Sequence, residues 1–283
     1  MKTSVILLAL GLGTSLAGQA QEKPVFRAST DIVRLDVLAT SHGRPVAGLT
    51  ADDFEVKDKG VRQHVELSTT VDRVSVVMLL SLSSVAQRDL AAACRALAGV
   101  LRPDDTAWVV AYGLQFSVIA GPTNDGSLIP CVTTQFPRQN GASLWDALFG
   151  SVSLVTGMNG RSLVVAFTSG GDGSSWLDED RIMETLKRSE VVVEGVIPRG
   201  VIPDIYPIER AARLTGGTVL TADPTAKLTD QFARVVNEFR LGYVLTYKPT
   251  GVRTDDGWHN VSVRVVGRDA NTRVRPGYFA KGG

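Results

Sequence analysis

The sequence has few of the residue types that usually build nucleophilic or metal-dependent active sites. It contains two cysteines and three histidines in 283 residues. The histidines, His42, His64 and His259, lie near the two ends of the chain, and we expect each to be a surface strand or turn residue. Neither a Gly-x-Ser-x-Gly nor a His-Glu-x-x-His pattern occurs. These absences argue against a hydrolase of the familiar serine or zinc types.

The chain also lacks an excess of charge of either sign. It has 30 basic and 29 acidic residues, so loss of Lys2 with a leader would leave 29 of each. A neutral chain gives no electrostatic reason to bind nucleic acid or an anionic membrane surface. We therefore expect neither as a partner.

Long apolar runs are absent after the first residues. Lys2 precedes an apolar run at 5–12, and small residues follow at 15–20, which is typical of a signal peptide cleaved after Ala20. This run is too short to span a bilayer, and no later segment reaches about 18 unbroken apolar residues. The sequence predicts a secreted or periplasmic protein that does not cross the membrane.

The two cysteines leave two interpretations open. In an exported chain, Cys94 and Cys131 can keep a disulfide. Alternatively, Cys94 shares a helical face with Leu90, Leu97 and Leu101 and is a buried thiol. Neither cysteine has the surroundings of a catalytic nucleophile.

Hydrophobic periodicity divides the chain into three regions. Residues 26–70 and 239–280 alternate apolar and polar side chains as strands do. Two or three strands are marginal alone, so we expect both ends to form one small β-sandwich. Residues 71–238 alternate buried strands with helices, which predicts an α/β domain of Rossmann type, inserted in the sandwich, with a mostly parallel sheet and helices on both faces.

Polar loops follow the strands of this central region. Ser81, Ser83 and Ser84 follow the first strand, Asn140 to Asp146 open a helix, and Thr168 to Gly173 follow a third strand. Because parallel strands end at one edge of a sheet, these loops should converge there. The Gly170-Gly-Asp-Gly173 segment lacks the lysine and spacing of a Walker motif, and we interpret it as a turn.

At these positions the chain resembles von Willebrand factor A-type domains, and among them the secreted "VWFA-related" proteins of acidobacterial type. The resemblance covers nearly the whole mature chain. It is carried by the following segments: Val33-Arg-Leu-Asp-Val37, Gly43 to Phe54, Leu144-Trp-Asp-Ala-Leu148, Leu214-Thr-Gly-Gly217, Leu241 to Tyr247 and Arg273 to Phe279.

The resemblance implies a metal-ion-dependent adhesion site, from which this sequence departs. The family uses an Asp-x-Ser-x-Ser motif, a Thr and a further Asp to hold Mg²⁺, and a partner's carboxylate completes the site. The corresponding positions here are Ser81, Ser83, Val85, Ala142 with Ser143 beside it, Ser169 and the accessory Asp172. Only Ser83 keeps the residue type of the motif, and only Asp172 carries a charge.

This degenerate site predicts that no cofactor is bound. Mg²⁺ is normally held through at least one or two carboxylates, which Ser83, Ser143 and Asp172 do not supply. A weakly held Mg²⁺, Mn²⁺ or Ca²⁺ in a metal-dependent adhesion module remains an alternative, and a hydrolase with an unrecognised site is a second.

The expected function is therefore binding of a protein or another extracellular ligand, without catalysis. The candidate contact residues are Ser83, Ser84, Trp145, Asp172 and Trp176, which lie in or beside the converging loops. Two simpler interpretations stay open: the serines only satisfy backbone groups and cap a helix, and Trp145 is a core residue of its own helix.

Overall fold

The computed structural model of the chain describes residues 32–68, 73–83, 87–124, 141–198, 204–221, 228–252 and 257–280. The strands, in chain order, are β1 (Val33–Ser41), β2 (Arg44–Pro45), β3 (Phe54–Asp58), β4 (Val61–Gln63), β5 (Glu66–Leu67), β6 (Val74–Ser81), β7 (Thr106–Tyr112), β8 (Phe116–Thr123), β9 (Arg161–Phe167), β10 (Val192–Ile197), β11 (Val219–Thr221), β12 (Tyr243–Tyr247), β13 (Gly257–Val265), β14 (Asn271–Arg273) and β15 (Gly277–Ala280). The helices are α1 (Gln87–Val100), α2 (Leu144–Val155), α3 (Glu179–Arg188), α4 (Tyr206–Thr215) and α5 (Leu228–Leu241), and a short 3₁₀ helix spans Ala51–Asp53.

A six-stranded sheet forms the centre of the molecule, in the order β11-β10-β9-β6-β7-β8. The pairings from β11 to β7 are parallel, and only β8 runs antiparallel, against β7. All eight residues of β6 are buried, because helices cover the sheet on both sides. An unbroken apolar strand is what a parallel sheet with two covered faces requires. The mixed α/β class is thus confirmed.

Two hydrophobic clusters, one on each face of the central sheet, anchor the helices. On one face, Val76 and Met78 of β6 pack with Leu97 of α1 and Phe232 of α5. On the other face, α2, α3 and α4 contribute Leu148, Leu186 and Ile208, which pack with the alternate β6 residues Val77 and Leu79. Successive side chains of a strand point to opposite faces, so each strand contributes to both clusters.

Two antiparallel sheets flank the central sheet. One has the order β14-β1-β12-β5, with β2 paired to β1, and the other has the order β15-β13-β3-β4. The two ends of the chain meet in the first, where Val33 of β1 is in register with Tyr247 of β12. Both sheets contribute to one further hydrophobic cluster, which contains Leu35, Val56, Leu245 and Val263.

Buried arginines join the flanking sheets to the central α/β region. Arg275, which is almost fully buried, donates from its guanidinium to the carbonyl oxygens of Lys187 (2.7 Å) and Ser189 (2.6 Å). These carbonyls belong to the C-terminal end of α3, where helix carbonyls lack partners within the helix and favour a cation. The C-terminal strands are therefore fixed to the α/β region by a charged cap.

Some predicted strands have different bounds or partners in the structure. Residues 64–67 alternate polar and apolar side chains as one strand would, but β4 ends at Gln63 and β5 begins at Glu66, and the two belong to different sheets. The periodicity did not predict β8, whose residues are half-exposed and end in Gly121-Pro122-Thr123. It also missed β15, which contains Gly277 and has only four residues.

Several further predictions fall where no structure is described. The predicted signal peptide and Cys131 lie outside the described residues. Cys94 is buried in the core and is not a free thiol. Among the helices of the described part, none is both long and apolar enough to cross a membrane.

Candidate functional site

The candidate site lies where β6, β7, β9 and β10 reach their C-terminal ends; we call this the carboxyl edge. Here β6 ends at Ser81 and β7 at Tyr112, which are in register with each other. Next to them, β9 ends at Phe167 and passes directly into Thr168. In open α/β sheets, crevices for ligands form outside this edge.

Four hydroxyl side chains form a connected group at the carboxyl edge; we call Ser81, Ser83, Tyr112 and Thr168 the hydroxyl cluster. The oxygens of Ser81 and Ser83 are 3.0 Å apart. Tyr112 donates to Thr168 Oγ1 over 2.7 Å, and its hydroxyl also interacts with that of Ser81. The Gly170 amide donates to Thr168 Oγ1 over 2.9 Å. The cluster thus satisfies its own polar groups at the end of a buried strand.

Tyr112 is fully buried, and burial raises the pKa of its hydroxyl to about 12, against the opposing hydrogen bonds with Thr168 and Ser81. The nearby charge of Asp172 acts in the same direction as burial. A phenol with this pKa stays neutral at physiological pH and donates a hydrogen bond. Tyr112 is therefore a structural donor here and is poorly suited to act as a base.

Asp172 is held by the N-terminus of α2. Its Oδ1 accepts hydrogen bonds from the Trp145 backbone amide (3.1 Å) and from the Ser175 hydroxyl (2.5 Å). Trp145 lies in the first turn of α2, where amides have no partner within the helix and where the helix dipole favours a negative charge. The Asp172 carboxylate therefore caps a helix.

Asp146 makes the reciprocal contact. Its two carboxylate oxygens accept from the backbone amides of Trp176 and Leu177, each over 2.9 Å. Its own amide donates to Ser175 Oγ over 3.2 Å. We call residues 170–178 the Trp176 loop. Two aspartates and Ser175 thus bind this loop and the start of α2 to each other.

The remaining predicted positions have mostly backbone roles. The Ala142 carbonyl accepts from the amides of Gly173 (3.0 Å) and Ser174 (3.2 Å), and the Ser169 carbonyl accepts from the Asp204 amide (3.0 Å). Ser143 is the N-cap of α2, and its buried Oγ has no hydrogen-bond partner within the described part of the chain. Ser84 and Val85 lie outside the described residues.

The two candidate tryptophans differ sharply in exposure. Trp145 is 6% exposed and packs in the cluster beneath α2, α3 and α4, as the interpretation of a core residue requires. Trp176 is 94% exposed, although its backbone is hydrogen-bonded to Asp146. Trp176 is therefore the member of this pair whose ring is presented to solvent.

The residues at the carboxyl edge do not fit the dication that the fold family implies. Ser81 and Ser169 supply no charge, and Oδ1 of Asp172 already accepts two hydrogen bonds. Mg²⁺ gives up its water ligands reluctantly and is normally held through one or two carboxylates. Within the described ranges, no group of three or more His, Cys, Asp or Glu side chains is arranged to hold a metal ion.

The histidines do not meet the hydroxyl cluster. His42 and His64 are exposed, as expected. The expectation for His259 was wrong: it is fully buried, and its Nδ1 lies 2.9 Å from Asp58 Oδ1. The reason is that β13 begins at Gly257, so His259 shares the inward face with Val261 and Val263. No described histidine therefore supplies a base for Ser83.

The sequence analysis did not identify Tyr112 and Ser175, and it placed Thr168 and Asp146 in the converging loops without naming them as candidate contact residues. Tyr112 and Thr168 could have been found, because each stands where a buried strand ends. Asp146 and Ser175 carried no such signal, since their pairing joins positions 29 residues apart in the sequence.

Comparison with solved structures agrees with this architecture. A von Willebrand factor type A protein from Catenulispora acidiphila superposes with a TM-score of 0.54 at 11% identity, over 88% of this chain and 72% of that one. An aerotolerance-related membrane protein from Bacteroides fragilis gives 0.46 at 13% identity, over 59% and 98%. BatB from Bacteroides thetaiotaomicron gives 0.43 at 15% identity, over 59% and 98%.

The chain therefore has a von Willebrand factor A-type fold, and the first of these structures carries that conclusion. No protein-family model matches the sequence, and no curated protein matches it significantly. Fold alone does not specify function, which has to be argued from the site.

Proposed function

We propose that this protein is an exported, non-enzymatic binding protein that contacts its partner through the carboxyl edge without a metal ion. Von Willebrand A-type domains are general interaction modules, so the fold agrees with a binding role. The partner is a protein or another extracellular ligand. Export is inferred from the predicted signal peptide, with cleavage after Ala20.

One observation carries the metal-free part of the proposal: Asp172, the charged residue retained among the corresponding positions, caps α2. A cation bound there would have to compete with the Trp145 amide and the Ser175 hydroxyl for the same oxygen. The members of the hydroxyl cluster likewise form hydrogen bonds with one another. Serines at positions 81 and 169 contribute dipoles where the family pattern has charges, and a dipole attracts a dication far less strongly.

The proposal includes a division of the chain into two domains. The unit at 71–238 would be the von Willebrand A-like domain, inserted into a β-sandwich formed by 26–70 and 239–280. Two observations support this arrangement: β1 pairs with β12 from the opposite end of the chain, and both flanking sheets share one hydrophobic cluster. The inserted unit is held on this base by buried arginines.

Calorimetric titration of the exported chain with Mg²⁺, Mn²⁺ and Ca²⁺ tests the metal-free claim. We expect no binding below millimolar concentration, and the same result for Asp172→Asn. Binding in the micromolar range that Asp172→Asn removes would refute the claim and support a metal-dependent adhesion module.

Partner capture tests the binding role. The exported chain is used as bait against the extracellular fraction of its own host, in parallel with Mg²⁺ and with a chelator. We expect the same partner in both conditions and its loss with Trp176→Ala, whereas Val266→Ala, a change at an exposed residue that directly follows β13, is the matched control. A partner retained by Trp176→Ala, or one lost with the chelator, would contradict the proposal.

A further inference from the structure

Trp176 is an exposed aromatic ring on a fixed backbone. The residue is 94% exposed, while Asp146 accepts hydrogen bonds from the amides of Trp176 and Leu177. The Ala142 carbonyl, just before α2, also holds the Trp176 loop, since it accepts from the amides of Gly173 and Ser174. A large apolar side chain that is both exposed and positioned in this way is characteristic of a contact residue.

Acidic residues outnumber basic residues in the segments around Trp176. Segments 170–181 and 204–210 contain six acidic residues, four in the first and two in the second, and two basic residues, Arg181 and Arg210. The segments are neighbours: Arg210 forms an ion pair with Glu179, and a Cβ built on Gly171 would lie 3.6 Å from Asp204 Oδ2. Asp178, Asp180 and Asp204 are exposed. The chain is neutral as a whole, so this surface is a local concentration of negative charge.

We propose that the Trp176 loop and Asp204 bind a cationic peptide segment of a partner protein, with an arginine or lysine side chain over the Trp176 ring. The exposed carboxylates of Asp178, Asp180 and Asp204 would attract the cation, and the indole face would stack on it. This inference rests on the proposed function and adds the chemistry of the partner.

The charges favour this occupant over an anionic one. In the resembled family, a metal ion bridges the domain to a partner's carboxylate. Here the hydroxyl cluster offers no net charge, and the nearby carboxylates would repel an acidic partner. Tyr206, whose hydroxyl accepts from Arg210, is a second exposed aromatic residue, in segment 204–210.

Two ten-residue peptides test the proposal: acetyl-(Gly-Arg)₅-amide and acetyl-(Gly-Glu)₅-amide, each fluorescently labelled and titrated by anisotropy at low and physiological salt. We expect only the arginine peptide to bind, with an affinity that decreases as salt increases. Trp176→Ala should weaken it about two- to five-fold, which corresponds to a cation–π contact at an exposed site.

A variant that removes the negative charges without disturbing the fold tests the role of the acidic surface. Asp178 is the N-cap of α3 and accepts from the Arg181 amide, and asparagine caps helices about as well as aspartate. The variant Asp178→Asn/Asp180→Asn/Asp204→Asn should therefore fold normally, bind the arginine peptide more weakly and lose most of the salt dependence. Asp269→Asn with Val266→Ala, both exposed on the flanking region, is the matched control and should bind like the parent.

Equal binding of both peptides, or arginine-peptide binding that neither the charge variant nor Trp176→Ala changes, would overturn this inference. A second result would also overturn it: a captured partner that no longer binds the Trp176→Ala variant, but that contacts the Trp176 loop through acidic residues of its own. That last result would leave the proposed function intact, because binding at the carboxyl edge would still be established.

Discussion

Arg161 and Asp36 form a buried ion pair that joins the central sheet to a flanking sheet. Arg161 Nε lies 2.6 Å from Asp36 Oδ1, and the two side chains are 4% and 11% exposed. The guanidinium carbon of Arg161 also lies 4.0 Å from the centre of the Phe239 ring. This one arginine therefore connects the start of β9, the middle of β1 and the end of α5.

Replacement of Arg161 by alanine should lower the free energy of unfolding by about 3 to 5 kcal/mol, because it leaves the carboxylate of Asp36 buried without its partner. Urea unfolding followed by circular dichroism measures this. Arg213→Ala is the control, since its pair with Glu209 is exposed and spans 4.0 Å; its loss should change stability by less than about 0.5 kcal/mol. Equal losses of unfolding free energy in both variants would contradict the stabilising role given to the Arg161–Asp36 pair.

Asp146→Ala should loosen the Trp176 loop while the rest of the molecule stays folded. Removal of the carboxylate leaves the amides of Trp176 and Leu177 without their acceptor, at a cost of about 1 kcal/mol. Hydrogen exchange of these two amides should become roughly five- to ten-fold faster. Asp172→Ala is the comparison, because it should release the Trp145 amide instead. If both variants accelerate the same amides, the reciprocal bracing described above is incorrect.

Glu194 should make stability depend on pH. It lies buried on β10, with Oε1 3.0 Å from Arg273 and Oε2 accepting from the Thr218 amide. Burial raises the pKa of its carboxyl from 4.5 to about 7, a rise that Arg273 and Thr218 oppose. The folded chain then holds this proton more tightly than the unfolded chain. The stability from this group is fully present below about pH 4.5 and is lost as the pH increases through about 7.

Glu194→Gln removes this dependence while keeping an oxygen acceptor. The difference in unfolding free energy between parent and variant should change by up to about 1.4 kcal/mol per pH unit between about pH 4.5 and 7. Urea unfolding at several pH values measures it. A difference that stays constant across this interval would show that Arg273 offsets the effect of burial.

Among a group of buried polar residues in the flanking sheets, substitution of Asp58 should reduce stability most. Its Oδ2 accepts from the hydroxyls of Tyr247 (3.0 Å) and Tyr278 (2.7 Å), and Oδ1 lies beside His259. Tyr278→Phe removes one donor and should cost about 1.5 to 3 kcal/mol. Asp58→Ala removes the acceptor from three partners at once and should cost more. Thermal unfolding of both variants tests this order, and a milder effect of Asp58→Ala would exclude it.

The strands of the central region could be predicted because both faces of the sheet are covered, which makes each buried strand an unbroken apolar run. Each residue of β6 is buried, and the buried residues of α2, among them Leu144, Leu148 and Val152, recur at helical spacing. An apolar run and a 3.6-residue repeat depend only on local sequence, which is why these elements could be predicted. The edge strand β8 was missed, because half-exposed residues and Gly121-Pro122 weaken that signal.

The candidate site was predictable in its location and not in its contacts. The sequence placed Ser81, Ser169 and Asp172 at strand ends or in the following loops, and those positions do meet at the carboxyl edge. It could not show that Asp172 caps α2, because that hydrogen bond joins residues 27 positions apart. Nor could it assign opposite surroundings to Trp145 and Trp176, since burial depends on which helices pack over each ring.

The sequence by itself determined the alternation of strands and helices, the neutral overall charge and the serines at positions 81 and 169, where the resemblance predicts aspartates. The tertiary structure alone decided that Asp172 faces a helix terminus, that His259 is buried beside Asp58, and that Trp176 stands in solvent. The physical reason is that periodicity and composition are local properties, whereas hydrogen-bond partners and solvent exposure arise only when distant segments pack together.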